Sequence, residues 1–125
     1  MPKKYGEAAL LALSPQNVGD PETRWLLATR EIFPNSPSSQ AKACPKGAFL
    51  GLCEEGLVQT VPSGSYTRSR DNKAYAVRAV SLLRSGKRFV GPQDLWNEVM
   101  CGVQKAHNGQ MDVVLALWDN KMICC

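Results

Sequence analysis

Apolar residues recur along most of this chain at intervals of three and four, the spacing of one face of an α-helix. The first such segment contains Tyr5 and Ala12 and ends at Ser14-Pro15. A second begins at Asp20-Pro21, a capping side chain followed by a proline suited to the first helical position, and ends at Pro34. Further helices are predicted over about 45–55, 71–85 and 109–120, and Gly91-Pro92 opens one more.

Two stretches interrupt the helical pattern. Residues 34–39 are rich in proline, serine and asparagine and predict a loop. Short β-prone runs lie on both sides of Pro62-Ser63-Gly64, which leaves room for one small β-hairpin near 58–68 or for an ordered loop. We therefore expect a single all-α domain over residues 1–125, a compact bundle of five or six short helices with or without that hairpin.

Two glycines, Gly47 and Gly51, lie four residues apart inside the predicted helix over 45–55. A glycine inside a helix lowers stability by about 1 kcal/mol relative to alanine, so two on one face require a reason. We expect another group to approach this face closely, either a neighbouring helix or a ligand.

The composition is that of a globular protein, with 44% hydrophobic and 21% charged residues. No run of about 18 apolar residues exists, so the sequence predicts no membrane span and no membrane partner.

The chain has five cysteines. An odd number of cysteines without a signal peptide favours free thiols and a cytoplasmic location. No Cys-x-x-Cys pair exists and there is one histidine, so we expect no metal site. Glycine-rich nucleotide signatures are missing as well, so we expect no cofactor.

The net charge of +4 is concentrated in residues 66–88, which we call the basic segment. It holds seven Lys and Arg against Asp71 alone, whereas residues 1–65 balance six bases with six acids. We expect arginine forks and a helix N-terminus to bind an anionic group here. The predicted ligand-binding residues are Tyr66, Arg68, Arg70, Asn72, Lys73 and, from the preceding helix, Lys46. The leading hypothesis is a binding or adaptor module whose partner is an anionic small molecule, such as a phosphate, or another protein.

A second hypothesis is chemistry at the thiol of Cys44. If Cys44 caps the helix that follows, its sulfur lies among free N–H groups with a lysine on either side, and each of these favours the thiolate. His107 would act as the base if the fold brings it to Cys44, with Asn108 or Asp112 orienting its ring. The protein would then be a thiol-dependent enzyme or a redox-sensitive protein with Cys44 and His107 as its catalytic residues.

Weak nucleic-acid binding is a third hypothesis. The turn at Gly56 followed by an arginine-bearing run faintly resembles the passage from recognition helix to wing in winged-helix proteins. However, the helix before this turn carries Glu54 and Glu55, which suit a phosphate backbone badly. The sequence therefore favours the anion-binding module, and it contains no indication of oligomeric state.

Three stretches of the chain resemble a small bacterial family of unknown function. They are residues 44–54, which read Cys-Pro-Lys-Gly-Ala-Phe-Leu-Gly-Leu-Cys-Glu, then Tyr66-Thr67 to Tyr75-Ala76, then His107 with Gln110-Met111-Asp112-Val113-Val114. Together they cover most of the chain from 44 to 118. The resemblance implies a single small helical domain and no assigned activity.

Overall fold

The computed structural model describes residues 4–124, which form seven α-helices. Their bounds are α1 Lys4–Ala12, α2 Pro21–Ile32, α3 Pro37–Gln40, α4 Ala43–Glu54, α5 Arg70–Arg84, α6 Pro92–Met100 and α7 Gln110–Asp119. The predicted all-α bundle is confirmed, and α3, a single turn, is the helix that the sequence pattern did not indicate. None of the helices within residues 4–124 is long and apolar enough to cross a lipid bilayer.

The one-turn helix α3 lies in the segment that the sequence predicts as a loop. Pro37 stands at its first position, and the Ser36 hydroxyl caps the turn by accepting a hydrogen bond from the Ser39 N–H at 3.3 Å. The Tyr5 hydroxyl donates to the Ser39 carbonyl at 3.0 Å, so α1 supports a turn that is too short to be stable alone. The prolines and serines that indicated a loop therefore also start a helix.

Residues 58–68 do not form the small β-hairpin that their sequence allows. Val58 instead forms an antiparallel bridge with Ile123, close to the end of the described chain. Beside this bridge, the Cys124 N–H donates to the Leu57 carbonyl at 2.7 Å. The backbone of this segment is therefore partly satisfied by a distant stretch, and residues 4–124 contain no β-strand.

Helices α4 and α7 form the centre of the bundle. α4 packs against α2, α5 and α7, whereas α7 packs against α1, α4, α5 and α6. Both are apolar over most of their surface, and a helix of that kind needs neighbours on several sides. Their fully buried side chains include Phe49, Leu52, Met111, Val114 and Leu117.

The helix that approaches Gly47 and Gly51 is α5. A Cβ atom on Gly47 would lie 2.8 Å from the Asn72 Cβ, and one on Gly51 would lie 2.6 Å from the Lys73 Cα. Real Cβ atoms do not tolerate such distances, so the two glycines allow the first turns of α5 to lie directly against α4. This close packing brings the start of the basic segment next to the C-terminal end of α4.

Candidate anion-binding site

A surface cleft of about 760 Å³, which we call the first cleft, lies between the end of α4 and the start of α5. The loop that joins these two helices forms one of its walls. The cleft is lined by Glu54, Glu55, Ser65, Thr67, Arg68, Arg70, Lys73, Ala74 and Val77. Three cations and two carboxylates therefore meet here, and three of the predicted ligand-binding residues are among them.

The carboxylate of Glu54 holds the loop in place. Its Oε1 accepts hydrogen bonds from the backbone N–H groups of Tyr66 (2.7 Å) and Thr67 (3.1 Å). Its Oε2 accepts from the Lys73 Nζ at 2.7 Å. The Lys73 bond, followed by the Thr67 and Tyr66 bonds, lowers the pKa of Glu54 to about 2. Glu54 is thus a structural anion that the sequence alone did not single out, and it positions the residues next to Arg68.

Lys73, a predicted ligand-binding residue, is already paired within the protein. Its Nζ lies 2.7 Å from the Glu54 Oε2 and 2.9 Å from the Glu55 Oε2. Hydrogen bonds to both carboxylates raise the pKa of Lys73, so the ammonium stays charged. The charge of Lys73 is fully offset within this triad, which keeps a net charge of −1, and less of Lys73 is left for a ligand.

Arg68 and Arg70 are exposed and line the first cleft. Neither guanidinium makes a hydrogen bond or an ion pair with any of residues 4–124. Arg70 is the first residue of α5, and Ser69 at the N-cap position makes no side-chain capping bond to the helix. The cleft therefore combines two unpaired arginines with an uncapped helix N-terminus.

Asn72 is turned inward and joins a buried polar chain. Its Nδ2 donates to the Ser69 Oγ at 2.8 Å, and its Oδ1 accepts from the Gln110 Nε2 at 3.1 Å. Gln110, which is 0% exposed, also accepts from the Asn108 N–H at 2.8 Å. The network ties the N-termini of α5 and α7 together. The sequence signal for this network is a glutamine at the first position of α7, a helix whose other residues are mostly apolar.

Lys46 and Tyr66 lie along a second cleft of about 480 Å³, which shares Thr67 and Arg68 with the first. The Lys46 Nζ pairs with the Glu22 Oε2 at 3.0 Å, and both side chains are partly exposed. The half-buried Tyr66 donates its hydroxyl to the Pro62 carbonyl at 2.8 Å. The predicted ligand-binding residues are therefore divided between two adjoining clefts, apart from the inward-facing Asn72.

Cys44 lies in the first turn of α4 and not at its cap. The helix begins at Ala43, with Lys42 in the N-cap position and no side-chain capping bond, so the expectation that Cys44 caps this helix is wrong. The thiol is free and half-buried. The pKa of Lys105 is raised chiefly by its hydrogen bond to the Tyr75 hydroxyl, and Cys44 makes only a minor electrostatic contribution to it.

His107 holds the start of α7. Its Nε2 accepts a hydrogen bond from the Met111 N–H at 2.9 Å, and its ring packs 5.4 Å from that of Trp96. Burial lowers the pKa of His107, which favours the neutral imidazole that this bond needs. Among residues 4–124 there is no hydrogen bond between Cys44 and His107. The catalytic pairing of these two residues stays a prediction.

Taken together, these features define an all-helical protein with an arginine-lined cleft between α4 and α5. The chain belongs to the family of unknown function DUF6979, whose sequence pattern matches residues 2–124. The resemblance to a family of unknown function is thereby confirmed, whereas the bacterial origin stays a prediction. No curated protein and no solved structure matches the chain.

Proposed function

We propose that this protein is a binding module that accepts an anionic group in the first cleft, between Arg68 and Arg70. The observation that carries the proposal is that these two guanidiniums line the cleft without a partner among residues 4–124, whereas the neighbouring Lys73 is paired. Planar guanidiniums match the geometry of phosphate and carboxylate oxygens, and each can donate two parallel hydrogen bonds.

The surroundings of the two arginines favour the same class of ligand. The start of α5 has no side-chain cap, so the positive end of that helix adds to the charge of Arg70. Ser65 and Thr67 bring hydroxyl groups to the cleft wall. Lys73 offsets one of the two negative charges of Glu54 and Glu55, so the two carboxylates repel an incoming anion less than they would alone.

A thermal-shift experiment tests the proposal. Inorganic phosphate at ten times its Kd stabilises the folded state by about 1.4 kcal/mol, which raises the Tm by roughly 5 °C for a domain of this size. We expect this shift in the wild type and its loss in the double variant Arg68→Ala, Arg70→Ala. Sodium chloride at matched ionic strength distinguishes binding from general salt effects.

The matched control is the double variant Arg30→Ala, Arg78→Ala. It removes the same charge from exposed helix positions that do not line the first cleft. We expect it to keep the phosphate-dependent shift. A wild type that does not respond to phosphate, or a shift that survives in the Arg68→Ala, Arg70→Ala variant, would rule out this site.

Thiol chemistry at Cys44 is a second candidate function, favoured by the half-buried position of the thiol in the first turn of α4, where the free N–H groups of the helix lie. We also propose a cytoplasmic location, since the four cysteines within residues 4–124 are all free thiols.

A further inference from the structure

Residues 101–109, which we call the latch segment, join α6 to α7 without regular secondary structure. Residues 101–106 are exposed, and hydrogen bonds hold the second half of the segment. The indole Nε1 of Trp96 on α6 donates to the Lys105 carbonyl at 2.8 Å, and the Met111 N–H in the first turn of α7 donates to the His107 Nε2 at 2.9 Å. Because the His107 ring also packs against that of Trp96, this one side chain joins the latch segment to both helices.

The bond from Met111 to His107 takes the place of a side-chain cap on α7. Gly109 occupies the N-cap position, and no side-chain capping bond is formed there. The first N–H groups of a helix need acceptors from outside it, and a neutral imidazole provides one at the nitrogen that carries no proton. When the ring is protonated, that nitrogen becomes a donor facing both the Met111 N–H and the positive end of α7. Protonation of His107 therefore turns this attraction into repulsion.

The surroundings of the His107 ring favour its neutral form at pH 7. Burial is the main reason that the pKa of His107 lies below its usual value of 6.5. The Lys42 ammonium, at the N-cap of α4, acts in the same direction, whereas the Asp112 carboxylate of α7 favours the imidazolium. α6 presents the ring of Trp96, which carries no charge. The closed state is therefore stable at neutral pH and weakens as the pH falls through the pKa of His107.

The other ionisable groups beside the latch segment do not change charge between pH 7 and pH 5. The Lys105 Nζ donates to the Tyr75 hydroxyl of α5 at 3.0 Å, which raises the pKa of Lys105. Tyr5 of α1 lies beside Gly109, and burial raises the pKa of its hydroxyl, so the phenol stays neutral. The chain has a single histidine, the side chain whose usual pKa falls in this range. A response of the latch segment in this range would therefore originate at His107.

We propose that protonation of His107 opens the latch segment: it breaks the bond to the Met111 N–H, frees the segment from α6 and α7, and uncovers the ring of Trp96. Trp96 is 1% exposed in the closed state, and Tyr75 lies edge-on to it with the ring centroids 5.2 Å apart. The protein would thus conceal an aromatic surface at neutral pH and expose it under mild acid. This latch does not depend on the anion site proposed in the first cleft.

Amide hydrogen exchange followed by NMR tests the latch. The protection factor compares the measured exchange rate with that of an unstructured peptide at the same pH, which removes the intrinsic effect of pH. We expect the protection factor of the Met111 N–H to fall about three- to tenfold between pH 7 and pH 5, as for the loss of one hydrogen bond. The indole N–H of Trp96 should lose protection as well, since its acceptor lies on the latch segment. Both changes should share the midpoint at which the C–H signals of the histidine ring titrate.

Two internal controls and one variant separate the latch from general acid destabilisation. The matched cap is the Thr23 N–H, which donates to the Asp20 carboxylate at the start of α2. Its protection should not change, because this bond lowers the pKa of Asp20 and keeps it ionised. The indole N–H of buried Trp25 should not change either. In His107→Gln an amide oxygen replaces the ring nitrogen as an acceptor that does not titrate, so Met111 should stay equally protected at both pH values.

Three results would overturn the inference. The first is a Met111 protection factor that is constant from pH 7 to pH 5 or that falls equally in His107→Gln. The second is a fall that the Thr23 and Trp25 signals share, because a loss of global stability would then account for it. The third, which needs no variant to fold, is a midpoint for Met111 or Trp96 that differs from that of the histidine ring.

Discussion

Substituting Gly51 by alanine tests the close packing of α4 against α5, on which the first cleft depends. An added Cβ would lie 2.6 Å from both the Cα and the Cβ of Lys73. The Cα is a backbone atom and cannot rotate away as a side chain can. α5 must therefore move away from α4, although these two helices form the most extensive helix pair in the described chain.

Two opposing effects determine the size of the change. Alanine stabilises a helix interior by about 1 kcal/mol relative to glycine. Inserting an extra carbon into a packed interface destabilises by about 1–3 kcal/mol, and the upper half of this range applies because the contacted atom belongs to the backbone. We therefore expect a net loss of about 1–2 kcal/mol in the free energy of unfolding.

Equilibrium unfolding in urea measures this loss. With a slope near 2 kcal/mol/M, the midpoint of Gly51→Ala should fall by roughly 0.5–1 M without a change in slope. The control is Ala74→Gly, at an exposed position of α5, which should destabilise by about 1 kcal/mol and so measures the glycine–alanine difference in this fold. A Gly51→Ala protein as stable as the wild type, or more stable, would show that α5 does not pack this closely against α4.

Two further predictions concern titration and thiol reactivity. Since the pKa of Glu54 is lowered from 4.5 to about 2 on folding, its contribution to stability is complete above pH 4.5 and is lost as the pH falls towards 2. The urea midpoint of Glu54→Gln should therefore decrease less than that of the wild type between pH 6 and 3, and equal decreases would contradict the assigned bonds. In alkylation of the folded protein followed by mass spectrometry, exposed Cys101 should react first among the four cysteines within residues 4–124, and buried Cys53, whose pKa is raised to about 12, should not react. His107→Ala should leave the rate at Cys44 unchanged, because the histidine already accepts from Met111, and a slower rate would instead favour the catalytic pair.

The ends of the helices could be predicted because their signals are local. Asp20 caps α2 by accepting from the Thr23 N–H at 2.8 Å, as its place before Pro21 indicated. Gly56 and Gly86 follow the ends of α4 and α5 with positive φ angles of 75° and 91°, a conformation that glycine adopts at little cost. Each of these interactions joins residues that are only a few positions apart, so the local sequence is enough to predict it.

The sequence missed a helix or left alternatives open where a distant part of the chain supplies the partner. The turn of α3 is held by the Tyr5 hydroxyl, and the carbonyl of Leu57, just before the segment left open between a hairpin and a loop, accepts from the Cys124 N–H. Propensity and turn signals contain no information on either contact, because both depend on which segments the bundle brings side by side.

The candidate site divides in the same way. The order of residues along the chain is enough to show that one basic segment exists and that its arginines and lysine lie near the start of a helix. Which of these side chains are available to a ligand depends on the packed bundle: Lys73 pairs with Glu54, 19 residues away, and Asn72 is turned towards Gln110, 38 residues away. Arg68 and Arg70 have no such partner among residues 4–124. The two kinds of interaction differ in range. Caps and helical periodicity act over a few residues along the chain. Ion pairs and buried hydrogen bonds instead require two side chains within about 3 Å in space, a distance that only the packed bundle sets.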